Sequence, residues 1–328
     1  MKKFLSLILC LMLCLSAMAI PASADGQTPS VAIVVAGGLG DRSFYDSANE
    51  GLEQLVADFG TVTKVIECKE DASRYESDLI DAAETCDVVA AVGWQFWDAL
   101  PGVVEAFPDV KFLFIDNGMD GVGDNLMSII YAQNQGSFLV GYIAGKMTKT
   151  GKIGAVGGQD SDTINDFIVG YKAGAAYANP DVTVEVQYAN DYEDPAKGKE
   201  CALALYGMGC DIVFQVAGKT GEGVFEAAKE TGNYAIGVDG DQKYINPDVI
   251  ICSMVKKVGK SIYDTVANMD ENFKPGMIWN ADMATGYIDV VYGDDTMPQQ
   301  VSDELKAEVE ALKLKIINGE ITVPTTLQ

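Results

Sequence analysis

The run Gly37-Gly38-Leu39-Gly40 follows an apolar pentad, Val31-Ala32-Ile33-Val34-Val35. A glycine-rich turn leading into a helix presents backbone N–H donors at a cleft, which is how dinucleotide folds hold phosphates. The spacing here departs from that fingerprint. Counted from Gly38, the third position of GxGxxG falls on Ser43, and the acidic Glu67 comes 27 residues after Gly40, against the roughly 20 expected. Asp41 and Ser43 are both candidate caps for the helix that follows, with Ser43 the better placed. The 328 residues contain no His. Ser-His-Asp and Cys-His nucleophile sites and His-ligated zinc are therefore excluded. Seven Cys are present without a CxxC pair, which points to buried structural thiols. No residue cluster calls for a metal or a cofactor.

The elements that must carry these residues follow from composition and periodicity. Lys and Arg total 23 against 48 Asp and Glu, a formal net charge of −25, and 48% of residues are hydrophobic. That content suffices for a sizeable core, and the length favours two domains. The acidic balance excludes nucleic acid and anionic lipid as partners, because both need a basic footprint. Short β-rich runs alternate with helical patterns, as in an α/β fold with parallel sheets. One cycle predicts strands at 31–35, 61–68, 88–92, 111–115 and 126–131. A second predicts them at 152–156, 182–188, 211–216, 234–238 and 249–254. The strands end in Gly, Asp or Asn, giving polar loops at the carboxyl edge where open α/β sheets bind ligands. The 71 residues after Lys257 are too few for a third domain and are expected to cross between two lobes, making a hinge.

The amino terminus reads Met1-Lys2-Lys3, an apolar stretch to about Ile20, then Pro21-Ala22-Ser23-Ala24. A basic start, an apolar run and small residues at −3 and −1 are the layout of a secretory signal peptide. Cleavage is expected after Ala24, leaving an exported protein with Cys68, Cys86, Cys201, Cys210 and Cys252.

Several long blocks, in order, carry a family resemblance. They are Gly37-Gly38-Leu39-Gly40-Asp41-Arg42-Ser43-Phe44 with Glu50-Gly51-Leu52, the helix from Gly136 to Gly145, and Ile164-Asn165-Asp166-Phe167 after Gly157-Gly158. Phe214 to Gly221, Ile236 to Gln242 and Ser253-Met254-Val255-Lys256-Lys257 continue the series. The sequence resembles the basic membrane protein family, substrate-binding proteins of ABC transporters whose best-known members are purine nucleoside receptors. The resemblance spans about Val31 to Val266.

That resemblance implies a type I periplasmic-binding fold: two doubly wound α/β lobes, a ligand cleft between them and a multi-crossover hinge. Lobe 1 would comprise 31–133 and about 258–285, and lobe 2 134–257 and about 286–328. It implies a monomer that binds a nucleoside, docks on a permease and performs no chemistry. Phe44 and Phe167 match the aromatics that sandwich the base. Asp239 matches the acid that holds ribose hydroxyls, Lys256 the lysine working with it, and Gly218 a backbone contact to the sugar. Trp94 falls at the aromatic after strand three, Asn117 follows Asp116 at the end of strand four, and Gly38 and Asp41 belong to the opening motif. Flat, π-rich bases suit an aromatic clamp, and a buried Asp needs a partner charge, which Lys256 could supply. Val35, Gly40 and Tyr45 stand where many nucleoside-binding members carry Asp, Asn and Asn. A wider aromatic ligand such as riboflavin, met by Trp94, Trp97 and Tyr45, is the alternative occupant. From another class, an exported hydrolase would need two acids facing each other at ~5–10 Å with one pKa raised.

Overall fold

The structure, a computed structural model, describes residues 28–327. The expected signal peptide lies outside them. The apolar pentads become strands buried on both faces, as parallel sheets covered by helices require. Val31–Val35 (β1) and Val88–Val92 (β3) are buried at every position. The first sheet also contains Thr63–Glu67 (β2), Lys111–Ile115 (β4), Leu126–Tyr131 (β5) and Ile278–Ala281 (β11), in the order β11-β5-β4-β3-β1-β2. Every pairing in it is parallel. The second sheet contains Lys152–Gly157 (β6), Thr183–Tyr188 (β7), Ile212–Val216 (β8), Tyr234–Asp239 (β9), Ile250–Lys256 (β10) and Ile288–Val291 (β12). Its order is β12-β10-β9-β8-β6-β7. Only β12 runs antiparallel to its neighbour. Element for element the two orders coincide, so each lobe repeats one plan and differs only in the direction of its last edge strand.

Helices cover the sheets. Phe44–Phe59 (α1), Tyr75–Ala83 (α2) and Leu100–Ala106 (α3) follow β1, β2 and β3, and Gln133–Met147 (α4) follows β5. Asp162–Ala178 (α5), Pro195–Gly207 (α6) and Glu222–Thr231 (α7) follow β6, β7 and β8. Val258–Ala267 (α8), Met269–Asn272 (α9) and Asp303–Ile317 (α10) lie in the carboxyl-terminal third. The chain passes between lobes three times: from β5 to α4, from β10 to α8, and from β11 to β12.

The two lobes share a packing device. The helix after the first strand of each meets a crossover helix through glycine. A Cβ on Gly51 of α1 would lie 2.2 Å from the Gly259 carbonyl of α8. One on Gly174 of α5 would lie 1.9 Å from the Phe138 carbonyl of α4. Neither approach tolerates a methyl group without the helices parting. Gly174→Ala is expected to cost about 1–3 kcal/mol from overpacking, read as a shift in the urea midpoint at unchanged slope. A substitution that left the midpoint in place would disprove this account of the contact.

Near the carboxyl terminus Val323 is buried. The carboxylate of Asp166, itself buried, accepts hydrogen bonds from the Thr325 hydroxyl (2.6 Å) and the Thr326 N–H (2.9 Å). Cys68, Cys86, Cys210 and Cys252 are buried free thiols and Cys201 is half-buried.

Candidate functional site

The carboxyl ends of both sheets face one another, and the strand order reverses at β1/β3 in one lobe and at β6/β8 in the other. Ligands bind at such switch points in open α/β sheets. A cavity lies there, lined by residues of both lobes. The first lobe contributes Asp41, Phe44 and Tyr45 after β1, Trp94 and Gln95 after β3, and Asp116 after β4. The second contributes Phe167 from the first turns of α5, Tyr192 and Glu193 after β7, Gly218 after β8, and Asp239 and Lys256 at the ends of β9 and β10.

The repeated plan places matched groups opposite each other. Phe44 and Phe167 follow the first strands of their respective sheets. Asp116 follows β4 and Asp239 ends the equivalent strand, β9, and both adopt the left-handed region, at φ 73° and 64°. Such backbones cost about 1–3 kcal/mol each in a non-glycine residue and cluster at functional sites.

Lys256, 2% exposed, sits at the centre. Its ammonium donates to Asp116 Oδ1 at 2.9 Å. It lies 4.8 Å from the Phe44 ring centroid, 5.1 Å from that of Phe167 and 5.4 Å from that of Tyr131. The expected pairing of Lys256 with Asp239 is therefore corrected: the direct ionic partner is Asp116. Asp239 feels the ammonium electrostatically, and its Oδ2 accepts from the Ser43 hydroxyl at 2.5 Å. Burial raises both carboxyls above the ordinary aspartate range. The Lys256 charge opposes that rise in each, and the proximity of Asp239 adds to it at Asp116.

Asp41 takes the capping role expected of Ser43. Its carboxylate accepts from the N–H groups of Ser43 (3.0 Å), Tyr45 (2.9 Å) and Asp46 (3.0 Å), satisfying donors that a helix start leaves free. Ser43 makes no side-chain cap, because its hydroxyl reaches across to Asp239. Burial still pushes Asp41 from 3.8 up to about 7. The folded state thus binds a proton more tightly than the unfolded one, so stability falls as pH rises from about 4 to about 7. Asp41→Asn should flatten that loss, on the order of a few kcal/mol across the window. Melting profiles of the two proteins at pH 4 and 7 check this, and parallel profiles would refute it.

The glycine turn behaves differently from the phosphate cradle it suggests. Leu39 N–H donates to Glu67 Oε1 at 2.7 Å, and the N–H groups of Gly40 and Arg42 donate to Asp46 at 2.7 and 2.8 Å. The chain's own carboxylates occupy these donors. Gly38 does not line the cavity, and neither does Asn117, whose Oδ1 accepts from the next residue's N–H. Asp116, its neighbour, is the one that enters. Gly218, at φ 54°, lines the cavity as expected, and Trp94 stands at its rim, 37% exposed. Trp97 is not part of the lining. Gln95, Tyr192 and Glu193 are lining residues that motif reading missed. Their only sequence signal is position: each lies within a few residues of the end of a strand.

The cleft is bridged from lobe to lobe by the chain's own groups. Besides Ser43–Asp239 and Lys256–Asp116, Gln242 Nε2 donates to the Arg42 carbonyl at 2.9 Å, and Arg42 lies 3.6 Å from Glu222.

Two α/β lobes of one strand order, joined by three crossings around a cavity at their carboxyl edges, define a solute-binding protein of the type I periplasmic-binding fold. The chain belongs to the family described as ABC transporter substrate-binding protein PnrA-like, which matches residues 28–326. It is 34% identical to basic membrane protein A of Borreliella burgdorferi, over 92% of this chain and 90% of that one. It is 33% identical to the ABC transporter nucleoside-binding protein BmpA of Lactococcus lactis, covering 88% and 87%. A solved ABC transporter solute-binding protein from Aeropyrum pernix superposes with a TM-score of 0.79 at 26% identity, covering 90% of this chain and 93% of that one.

The family is one of extracytoplasmic proteins that bind small ligands and a permease–ATPase complex, and its members are binding proteins rather than enzymes. That membership sets aside the hydrolase alternative. Two buried acids do face each other across the cleft, but a lysine ammonium stands with them. Among the described residues no helix is long and apolar enough to cross a membrane.

Proposed function

We propose that this protein captures a purine nucleoside between its lobes and delivers it to an ABC importer. The observation that carries the reading is the central group: two Phe rings from opposite lobes, each about 5 Å from one buried ammonium, beside two carboxylates. A flat base held against these rings would gain stacking worth about 1–3 kcal/mol per base. A ribose diol fits the acids, the ammonium and the Gly218 backbone, where polar groups in a dry cleft are strong partners. The Lactococcus lactis relative, named as nucleoside-binding, supports the same reading. The protein acts as an exported monomer, matured by cleavage after Ala24, with its acidic surface solvated and a few charges meeting the permease.

Calorimetry against nucleosides, free nucleobases, sugars and riboflavin tests this, with bound material recovered and identified by chromatography. Micromolar binding of a nucleoside, returned intact, is the expected result. Binding of riboflavin in preference to every nucleoside, or recovery of a cleaved product, would overturn it.

A further inference from the structure

We infer that the part of the cavity around Tyr45 reads the edge of the base through Glu193 and Gln95, and that it selects a 2-amino-6-oxopurine nucleoside of the guanosine type. The inference rests on the nucleoside reading above. Glu193 Oε1 and Gln95 Oε1 are both buried without a hydrogen-bond partner among the described residues, and both residues line the cavity. Both lie near one ring. A Cβ added at Gly37 would lie 2.9 Å from Glu193 Oε1, 2.9 Å from Glu70 Oε1 and 2.7 Å from the Tyr45 ring edge. A Cβ added at Gly93 would lie 2.5 Å from Gln95 Oε1 and 3.8 Å from the Tyr45 hydroxyl. The second oxygen of Glu193 lies 3.5 Å from Lys219, so the unpartnered one is not held by that ammonium.

Buried acceptors left unmade are expensive, so a ligand that supplies donors here gains what the empty contact loses. An ionised carboxylate only accepts, and the Glu193 side chain, unlike an amide, reads the same when its ends are exchanged. The guanine edge presents N1–H and an N2 amino group side by side, a pair that matches two carboxylate oxygens or one oxygen with a neighbouring carbonyl. Hypoxanthine offers N1–H alone. Adenine places the N1 lone pair beside its amino group, so one acceptor would face another. Sites built for a donor reject analogues lacking it far more strongly than apolar pockets reject a missing methylene. Val35, Gly40 and Tyr45 supply no carboxylate or carboxamide that could do this instead.

The test is calorimetry of the intact protein and of Glu193→Gln and Gln95→Leu with guanosine, inosine and adenosine. The unmodified protein should favour guanosine over inosine by about tenfold to a hundredfold. Glu193→Gln should bring guanosine down to the level of inosine, with an unchanged melting temperature reporting an intact fold. Gln95→Leu should weaken guanosine more than inosine. An unmodified protein that prefers inosine or adenosine, or a guanosine-to-inosine ratio unchanged by Glu193→Gln, would overturn the inference and leave the nucleoside reading standing. Absence of binding by all three nucleosides would overturn both.

Discussion

Replacing Lys256 with Met should lower nucleoside affinity about a thousandfold and destabilise the protein by about 3–5 kcal/mol. The apolar stem of Met preserves the volume against Phe44, Phe167 and Tyr131 but removes the ammonium that ion-pairs with Asp116 at 2.9 Å. What remains is two buried carboxyls without a counter-charge. Breaking a buried pair on one side is costly because the surviving charge is left uncompensated. The cost should be relieved in two ways. Burial already raises both carboxyls, and lowering the pH protonates them, so the variant should regain stability as the pH falls. Asp116→Asn added to Lys256→Met should restore melting at neutral pH. Neither remedy returns the donor that the ligand needs, so binding should stay lost in both. Titration of the double variant with nucleoside separates the two roles of Lys256. Affinity within threefold of the unmodified protein would show that the ammonium is structural only.

The second large effect falls on the aromatic pair. Phe44 is half-buried at the start of α1, so Phe44→Leu should cost under about 1.5 kcal/mol of stability. It should weaken nucleoside binding roughly tenfold to a hundredfold, the worth of one stacked base. Phe167, 2% exposed, also packs against Phe214 with ring centroids 6.4 Å apart, so Phe167→Leu should lose affinity and some stability together. A free pentose offers hydroxyls but no π-face, so its binding should be nearly unchanged in Phe44→Leu. Calorimetry with nucleoside and with ribose reads the contrast. Equal losses for both ligands would place Phe44 outside the base platform.

The architecture was legible because parallel strands covered on both faces are written as unbroken apolar runs, such as Val31–Val35 and Val88–Val92. The edge strand β11 was not legible. Only Ala281 of its four residues is buried, so Ile278–Ala281 carries no such run, and pairing with β5 makes it a strand. Among the site residues, the aromatics and Asp239 came through long motifs. The identity of the ion pair did not, since Asp116 and Asp239 are alike in sequence and only the folded cleft decides which lies 2.9 Å from Lys256. Ser43 was read as a cap because local rules favour hydroxyls there. A carboxylate 196 residues away claims that hydroxyl instead, and Asp41 fills the local role. Glu193 and Tyr192 sit in an irregular loop whose meaning depends on a facing lobe, and no local pattern reports that.

The bridges from Ser43 to Asp239 and from Gln242 to the Arg42 carbonyl have a consequence for traffic at the membrane. They are built from the chain alone, so they weight the shut conformer whatever fills the cleft. Apparent affinity rises with the fraction of molecules already competent. A permease that recognises the shut shape would then meet unloaded copies too, which compete with loaded ones for its docking face. Tightening these bridges would improve scavenging of scarce solute and slow delivery when solute is plentiful. Substitution of Ser43 or Gln242 should therefore change uptake rate as well as binding.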